Sequence, residues 1–583
     1  MIKIINTENT KSRTFGWVQN PGDFRKLCDV VAVFDFDSAK HKQIVAKTIP
    51  ALVLPADGQS ELLAALNSRP LKIKYSDLKG TAFTPRSSAR CNGIIQAAVK
   101  AQGSREFVDD WSADGFVRWS QCLGFIAYDY STDAFSITNL GLRLSEAKSE
   151  GKELNEAEKN VLIEAVLSYP PAVRVLSLLS EDNAHLTKFE IGKQLGFTSE
   201  SGFTSMPQDI LIRALSDSED NKEKNKMRTD WEGSSDKYAR MISGWLAKLG
   251  LVKQIAKEVT VRVGSSSFVE NIGQSYVITA QGITALRRSQ GASKHNRIAK
   301  NISFEMLSTK GSDRTFLRTR RALVIKALSE SKTALTEGEL LSFLSSYEVE
   351  TSTAAIADDV VGLKNIGLDI KIVDDSFVWQ DKINDFVIPI SSNIVASTHE
   401  QIKDELRKNI SHIPHEYLSL VDLAYDSKQN RLFEMKTMQL LTEECGFNGL
   451  HLGGTRKPDG VAYTTEITDS YGIIIDTKAY SRGYNLPIAQ ADQMGRYIQE
   501  NQRRDVEENS NEWWNSFGDG ISIFYFMFVA GHFVGEYQEQ INRISLITGT
   551  KGAAIDINRL LVTADDLKGG KYDLTNVAYD YFG

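Results

Sequence analysis

Cysteine is scarce in this sequence of 583 residues, and so are long apolar runs. The four cysteines, Cys28, Cys91, Cys122 and Cys445, lie far apart and form no C-x-x-C pair, which argues against a disulfide framework or a cysteine zinc site. No segment approaches the about eighteen consecutive apolar residues that a membrane helix needs, and the first residues contain no continuous apolar signal region. We therefore expect a cytoplasmic protein with no membrane partner.

Two nucleotide-related motifs are also missing. No G-x-x-x-x-G-K-[ST] sequence occurs, so ATP-driven translocation is unsupported. No glycine-rich cofactor loop followed by an N-P-P-Y-type motif occurs either, so the sequence offers no methyltransferase site. The net charge of −7 does not exclude a DNA partner, because phosphates respond to the local charge of a domain rather than to the average.

The composition is that of an ordinary globular protein, with 42% hydrophobic and 25% charged residues. A chain of this length exceeds what one core organises, so several domains are expected. Three segments in the first two thirds share one pattern, in which a helix ends at an L-G or I-G turn and two apolar strands follow. They lie at residues 122–138, 248–279 and 365–379. This repeat predicts three mainly helical subdomains of the winged-helix or helix-turn-helix type.

The second repeat contains a candidate recognition helix, residues 235–250, with apolar residues at helical spacing on one face. Lys237 lies off that face and can donate hydrogen bonds to guanine, while the preceding Glu232 can accept one from cytosine. The alternative is an ordinary amphipathic helix whose charged residues face the solvent.

Residues 386–400 lose helical periodicity and contain Pro389 and Ser391, which is typical of a linker. The domains predicted on this basis are two mainly helical subdomains at 1–150 and 151–290, a winged-helix-like subdomain at 291–386, a linker at 387–399 and a C-terminal domain at 400–583.

The C-terminal domain carries the strongest chemical signal, an apolar strand over residues 473–479 that contains Asp476 and Lys478. The two-residue period of a strand puts both side chains on one face. Asp459 begins the preceding strand, and a hairpin would return its carboxylate to the side of Asp476. Two carboxylates can hold Mg²⁺ against a phosphate, and Lys478 can position or deprotonate water. Polar residues at the end of a core strand are the alternative interpretation.

Glu434 is a further catalytic candidate. It shares one helical stripe with Met438, Leu441 and Cys445, and a carboxylate on an apolar stripe needs a partner or a metal. A buried structural salt bridge is the competing explanation.

Asp492 and Arg496 stand four residues apart on a predicted helix after the catalytic strand. One active site aligns with one phosphate, so cutting both strands of DNA requires either reorientation or a second copy of the domain, of which a transient homodimer is the simpler. A two-fold axis beside this helix would let each Asp meet the Arg of the other chain. An ordinary intrahelical ion pair is the alternative, and the spacing alone favours it.

The sequence resembles the PD-(D/E)xK nucleases and, more closely, the FokI-like type IIS restriction endonucleases. In the C-terminal domain the resemblance lies in HLGGTRKPDG (451–460), IIIDTKAYS (473–481) and NEWW (511–514). In the N-terminal half it lies in RTFGWVQNPG (13–22) and WEGSSDKYARM (231–241).

The resemblance implies a restriction endonuclease that binds a short asymmetric site in double-stranded DNA, GGATG or close to it, and cuts both strands at a fixed distance outside. It implies an α/β nuclease domain with a mixed central sheet, Mg²⁺ as cofactor, and a separate cognate methyltransferase. Asp459, Asp476 and Lys478 would form the catalytic set. Base contacts carry over to Gln19, Asn20, Arg86, Trp111, Glu232 and Lys237.

Two other functions remain open at this point. One is a non-catalytic winged-helix DNA-binding regulator with a degenerate nuclease-like tail. The other is a repair or junction-resolving nuclease on the same fold, which would cut according to DNA structure rather than sequence.

Overall fold

The computed structural model divides into two compact units. The first comprises residues 1–197, 235–257 and 272–395, and the second comprises residues 198–234, 258–271 and 396–583. The residues that the structure describes are 2–7, 13–85, 88–263, 266–292, 296–391, 394–465, 467 and 469–583.

The β-strands are β1 Ile2–Asn6, β2 Ile73–Lys74, β3 Ile126–Asp129, β4 Ala134–Ile137, β5 Leu186–Thr187, β6 Val252–Gln254, β7 Lys257–Val263, β8 Ser266–Ile272, β9 Ser275–Ile278, β10 Leu335–Thr336, β11 Ile370–Val373, β12 Ser376–Trp379, β13 Phe386–Ile390, β14 Asn448–His451, β15 Gly460–Tyr463, β16 Tyr471–Lys478, β17 Ile523–Ala530 and β18 Gly552–Asp556.

The α-helices are α1 Phe24–Val33, α2 Ala39–Gln43, α3 Ile49–Leu52, α4 Gln59–Leu66, α5 Tyr75–Lys79, α6 Ile94–Ala98, α7 Asp110–Cys122, α8 Asn139–Ala147, α9 Glu156–Ser168, α10 Pro170–Ser180, α11 Lys188–Gly192, α12 Gln208–Asp217, α13 Asn221–Asp230, α14 Ser234–Lys248, α15 Ala280–Ser289, α16 Arg314–Glu330, α17 Glu337–Ser345, α18 Thr353–Asn365, α19 Thr398–Asn409, α20 Ser419–Leu423, α21 Asn430–Glu443, α22 Ile488–Arg503, α23 Tyr537–Thr548, α24 Ile557–Lys568 and α25 Leu574–Phe582.

The first unit contains three small antiparallel sheets of one design, which confirms the predicted repeat. Their strand orders are β2-β4-β3, β5-β9-β6 and β10-β12-β11. In each sheet a two-residue strand borders the second strand of a hairpin, and the hairpin follows a helix of the repeat: α7, α14 or α18. The second repeat is longer because the β7–β8 hairpin interrupts it between β6 and β9.

The third repeat contains three helices, α16, α17 and α18, and a buried ion-pair network joins α16 to α18. Arg320 and Arg321 both bond to the carboxylate of Asp359, at 2.6 and 2.7 Å, and all three side chains are almost fully buried. The negative charge offsets two guanidinium groups, which would otherwise be costly to remove from water.

Residues 386–390 differ from the expectation of a linker that begins at residue 387. They form β13, which pairs in parallel with β1, so that Ile2 lies opposite Phe386 and Asn6 opposite Ile390. The periodicity of a short segment does not reveal a strand partner that lies so far away in the sequence.

The second unit is built around a mixed sheet of order β14-β15-β16-β17-β18, as expected for a nuclease domain. The β14–β15 and β15–β16 pairs are antiparallel, whereas β16–β17 and β17–β18 are parallel. A core of aromatic and aliphatic side chains packs β16 and β17 against helix α22 and the segment around Trp513 and Trp514. This core holds the central strand rigidly in place.

Segment 198–234 belongs to the second unit, although the sequence places it within predicted subdomain 151–290. It contacts the nuclease sheet and its helices through polar groups. The Ser201 amide donates to Asp422 at 3.3 Å, the Arg213 guanidinium donates to the His451 carbonyl at 3.3 Å, and Arg431 lies 4.8 Å from the centre of the Trp231 ring. Such isolated contacts leave no periodic signal in the sequence.

Among the described residues no single helix is long and apolar enough to span a membrane; one bent pair, α9 with α10, meets the length and composition test together. The four cysteines are free and buried, in agreement with the expectation that they form no disulfide framework.

Candidate functional site

The register between β15 and β16 brings the first two candidate residues together. Gly460 lies opposite Ile475, so Asp459, one residue before β15, comes beside Asp476 on the central strand. Gly460 also lets Met438 of α21 pack closely on β15, because a Cβ at that position would lie 2.4 Å from the Met438 sulfur. The predicted hairpin return is therefore confirmed.

Asp459 is oriented by a residue that sequence analysis did not single out. One of its carboxylate oxygens accepts hydrogen bonds from the Thr477 amide at 2.7 Å and from the Thr477 hydroxyl at 3.1 Å. Thr477 lies between Asp476 and Lys478 on β16, so the strand that carries these two residues also holds Asp459 in place. The sequence signal that could have identified Thr477 was its position between Asp476 and Lys478 in the D-T-K motif.

Asp476 and Lys478 lie on one face, as the strand period predicts, and their side chains bond at 2.7 Å. Burial, followed by the charge of Asp459, raises the pKa of Asp476 well above its usual range. Burial alone would lower the pKa of Lys478, but the charges of Asp476 and Asp459 outweigh it, and this pKa is raised. The site thus concentrates negative charge around one ammonium group.

This carboxylate pair fits a hard divalent cation, which prefers oxygen ligands and would relieve the repulsion that raises the pKa of Asp476. Within the described part of the chain no three of the residue types His, Cys, Asp and Glu gather as a ligand cluster. Protein carboxylates can therefore supply only part of a coordination shell here, as is usual for Mg²⁺.

Glu434 lies near this group, on α21. Its carboxylate is 3.5 Å from Nε2 of His451, the last residue of β14, and its charge contributes to the raised pKa of Lys478. The buried partner that the apolar stripe called for is thus a histidine, which the sequence analysis did not name. The position of Glu434 at the edge of the Asp459–Asp476–Lys478 group suits either a catalytic or a structural role.

Helix α22 carries Asp492 and Arg496, but the two do not pair along the helix. Asp492 bonds to Arg543 of helix α23 at 2.8 Å, whereas Arg496 lies 3.7 Å from Glu500. Asp492 and Arg496 therefore do not form the intrahelical ion pair that was the alternative to a dimer contact, and each of them contacts another residue. Arg543 was missed because it lies in another helix.

The predicted base-contacting residues Gln19 and Asn20 lie in a loop that two helices of the first unit support. From α14, Trp245 donates to the Pro21 carbonyl at 3.2 Å and Lys248 donates to the Gly22 carbonyl at 2.5 Å. From α7, Gly115 lets the helix approach, since a Cβ there would lie 2.6 Å from the Asn20 carbonyl oxygen.

Lys237 stands in the first turns of α14, next to Tyr238, which connects it to this loop. Burial raises the pKa of Tyr238 to about 12, and a side-chain hydrogen bond with Gln19 opposes that rise. Tyr238 also packs on Trp17, with ring centres 4.8 Å apart. The structure thus brings Gln19, Asn20 and the beginning of α14 together.

Trp111 is the second residue of helix α7 and is 63% exposed, which is unusual for the largest apolar side chain. The guanidinium of Arg118 lies 5.7 Å from its ring centre and holds one side of it. An exposed indole beside a cation is a surface suited to contact with a partner.

The two remaining recognition candidates lie elsewhere. Glu232 falls in the second unit, between α13 and α14, and Arg86 lies outside the described residues.

Comparison with protein families shows that four consecutive stretches match models of one enzyme family. They are the FokI recognition domain subdomain 1 at residues 13–147, the FokI recognition domain subdomain 2 at 158–294, the FokI D3 domain at 307–375 and the FokI cleavage domain at 396–582.

Two curated relatives are similar over almost their whole length. The type II restriction enzyme FokI of Planomicrobium okeanokoites is 44% identical, over 97% of this chain and 98% of its own. The type II restriction enzyme StsI of Streptococcus sanguinis is 31% identical, over 98% of this chain and 95% of its own.

Two solved structures have the same fold as this chain. Restriction endonuclease FokI bound to DNA matches with a TM-score of 0.92 and 43% identity, over 98% of this chain and 99% of the other. A structure of restriction endonuclease FokI matches with a TM-score of 0.91 and 44% identity, over the same shares.

The carboxylate pair generates a prediction about cations and pH. A proton retained by the pair, as the raised pKa of Asp476 implies, must leave before a cation binds. We therefore expect Ca²⁺ to raise the melting temperature more at about pH 8 than at about pH 6. Calorimetry measures this, with Asp476→Asn losing the Ca²⁺ effect and Asp492→Asn, an exposed acid of the same unit, retaining it. Equal Ca²⁺ shifts at both pH values, or a full shift in Asp476→Asn, would contradict the assignment.

Proposed function

The chain belongs to the FokI family of type IIS restriction endonucleases, and from this we propose that it binds a short asymmetric DNA site and cuts both strands at a fixed distance outside it. GGATG or a close variant is the proposed site. The observation that carries the catalytic proposal is the group of Asp459, Asp476 and Lys478, whose carboxylates and ammonium meet at the end of the central strand.

We assign the metal to Asp459 and Asp476, with Mg²⁺ as the cation. When bound, Mg²⁺ supplies positive charge that stabilises the developing charge on the scissile phosphate. Asp459 is held for this task by both donors of Thr477, so its remaining oxygen stays directed toward the site. The raised pKa of Asp476 reflects its burial and then the charge of Asp459, and a cation would relieve the repulsion between the two carboxylates.

Lys478 acts as a fixed positive charge in this proposal. Its raised pKa keeps the ammonium protonated at neutral pH, so it can donate to an attacking water or to a phosphate oxygen rather than remove a proton. Glu434 is the proposed fourth residue, since its charge reaches Lys478 and it can help to hold that ammonium in place.

Recognition is proposed to lie in residues 1–150 and 151–290, with 291–386 as a supporting subdomain and 400–583 as the cleavage domain. The loop with Gln19 and Asn20, the exposed Trp111 and the start of α14 offer amide, indole and ammonium groups from one unit. Arg86 and Glu232 would complete the contacts. This is direct readout through base edges, for which these side-chain types are suited.

A transient homodimer through the cleavage domain is proposed to cut the second strand. Beside Asp492 and Arg496, the surface of α22 and α23 exposes Ile488, Leu546 and Ile547 by 59%, 88% and 59%. Exposed aliphatic side chains of this extent favour a protein contact. We further propose action in the cytoplasm together with a separate cognate methyltransferase, since cutting at a short site requires protection of the host DNA.

The catalytic assignment predicts that Asp459→Ala, Asp476→Ala and Lys478→Ala each abolish cleavage and leave site-specific binding intact. The reason is that the proposed recognition residues lie outside the group that acts on the phosphate. Plasmid cleavage with Mg²⁺ measures cutting, and a gel shift without Mg²⁺ measures site-specific binding. Asp505→Ala, which changes an exposed acidic residue, is a suitable control, whereas Asp565→Asn is not. Near-normal cutting by any of the three variants would remove that residue from the set.

Base contact predicts that Lys237→Ala and Glu232→Ala each weaken specific binding by about 1–3 kcal/mol, the value of one lost base contact. Binding to random DNA should change less. Fluorescence anisotropy on specific and random duplexes makes the comparison, and Lys371→Ala, an exposed lysine on β11, serves as the control. An equal loss on both duplexes would instead indicate that Lys237 contacts a phosphate.

Dimerisation predicts that Asp492→Ala leaves site binding intact and sharply lowers double-strand cutting. The cleavage rate of the unaltered protein on one-site DNA should rise faster than linearly with protein concentration. In the proposed dimer Asp492 would have two partners, Arg543 of its own chain and Arg496 of the other chain. Arg543→Ala removes only the bond within the chain, so it should preserve cutting. A first-order concentration dependence together with a fully active Asp492→Ala variant would overturn the dimer.

A further inference from the structure

Tyr484 lies just beyond the central strand and its backbone is fixed on both sides. Its amide donates to the His532 carbonyl at 2.9 Å, and its own carbonyl accepts from the Val534 amide at 3.0 Å. These two bonds tie the segment after β16 to the segment after β17. The position of the Tyr484 side chain is therefore set by the sheet rather than by a loose loop.

The ring of Tyr484 packs on the face of the sheet that carries Asp476. Its centre lies 6.4 Å from that of Phe528, and Phe528 is the residue opposite Asp476 in the parallel β16–β17 register. Residues opposite each other on neighbouring strands project to the same face. Tyr480 also stacks on the ring, with centres 5.3 Å apart, so the Tyr484 ring has aromatic contacts from two residues.

The hydroxyl at the end of this ring is the unexplained feature. Tyr484 is only 2% exposed, and among the described residues none lies within hydrogen-bonding distance of its hydroxyl. Burial, and then the charges of Asp476, Tyr480 and Asp459, raise the pKa of the phenol. The hydroxyl is thus too far from both carboxylates to bond directly, yet close enough for their charges to act on it.

A buried hydroxyl without a partner destabilises a protein, and phenylalanine would fill the same space at no such cost. The polar atom is therefore explained if it gains a partner when the site is in use. Since the charges of Asp476 and Asp459 act on this hydroxyl, these two carboxylates are the groups that can hold such a partner, an oxygen between them and the phenol. One water molecule that accepts from the phenol and donates to a carboxylate satisfies both groups.

We propose that Tyr484 is a positioning residue of the cleavage centre, its hydroxyl donating a hydrogen bond to a water molecule held by Asp459 and Asp476. This rests on the proposed function of that pair. When a cation is bound, the water oxygen so fixed would be one of the several oxygen ligands that it needs beyond the two carboxylates. Tyr484 contacts neither the phosphate nor the cation in this arrangement, and it acts through the oxygen that it orients.

The test is Tyr484→Phe, which removes the hydroxyl and keeps the ring. Tyr525→Phe is the matched control, because Tyr525 lies on β17 of the same sheet, opposite Ile473, and away from the carboxylates. Three quantities are measured on the full chain: single-turnover cleavage with Mg²⁺, specific DNA binding without metal, and the melting temperature as Ca²⁺ is added.

We expect Tyr484→Phe to cleave about 10–100-fold more slowly and to need a correspondingly higher Ca²⁺ concentration for the same thermal shift, the usual effect of losing an outer-sphere partner. DNA binding without metal should not change, and the metal-free melting temperature should stay the same or rise. Tyr525→Phe should match the unaltered protein in all three measurements.

Two results would overturn the inference. One is a Tyr484→Phe variant that cleaves and responds to Ca²⁺ like the unaltered protein. The other is slower cleavage accompanied by a lower metal-free melting temperature and an unchanged Ca²⁺ response, which would make the hydroxyl structural. If the unaltered protein itself failed to cleave DNA with Mg²⁺, the proposed function would fail instead.

Discussion

The antiparallel register of β15 and β16 is the constraint on which the cleavage centre depends. Pairing of Gly460 with Ile475 brings two carboxylates side by side, against their mutual repulsion. A slip of one residue would turn Asp459 to the other face, because strand side chains alternate. The hydrophobic core on β16 and β17, with α22 packed over it, holds the register. Stability taken from this core thus maintains a site that is unfavourable by itself.

Features written in local sequence could be predicted. The three hairpins, helix α14 and the grouping of Asp459, Asp476 and Lys478 follow from helical and strand periodicity and from turns. What the sequence could not supply were partners distant along the chain. Arg543 for Asp492, His451 for Glu434 and β1 for β13 are examples, since periodicity describes one element and not its neighbour in space.

The recognition surface follows the same division. Side-chain types indicated Gln19, Asn20 and Lys237, whereas the packing that unites them depends on Trp245, Lys248 and Gly115, which hold the loop from two helices. Gly115, Trp245 and Lys248 thus fix the position of the recognition loop without touching a base edge themselves. Specificity in such a surface rests on its supports as much as on its contacts.

The parallel pair of β1 and β13 has a consequence for synthesis on the ribosome. Residues 2–6 emerge about 380 residues before the segment with which they pair. At typical elongation rates of roughly 5–20 residues per second, the wait is roughly 20–80 s. Strands β1 and β13 can pair only when translation has reached the start of the nuclease domain, since that domain follows β13 directly. Nascent chains that stall earlier contain an incomplete first unit and lack the proposed cleavage domain. Such incomplete products of translation therefore cannot cut the DNA of the cell.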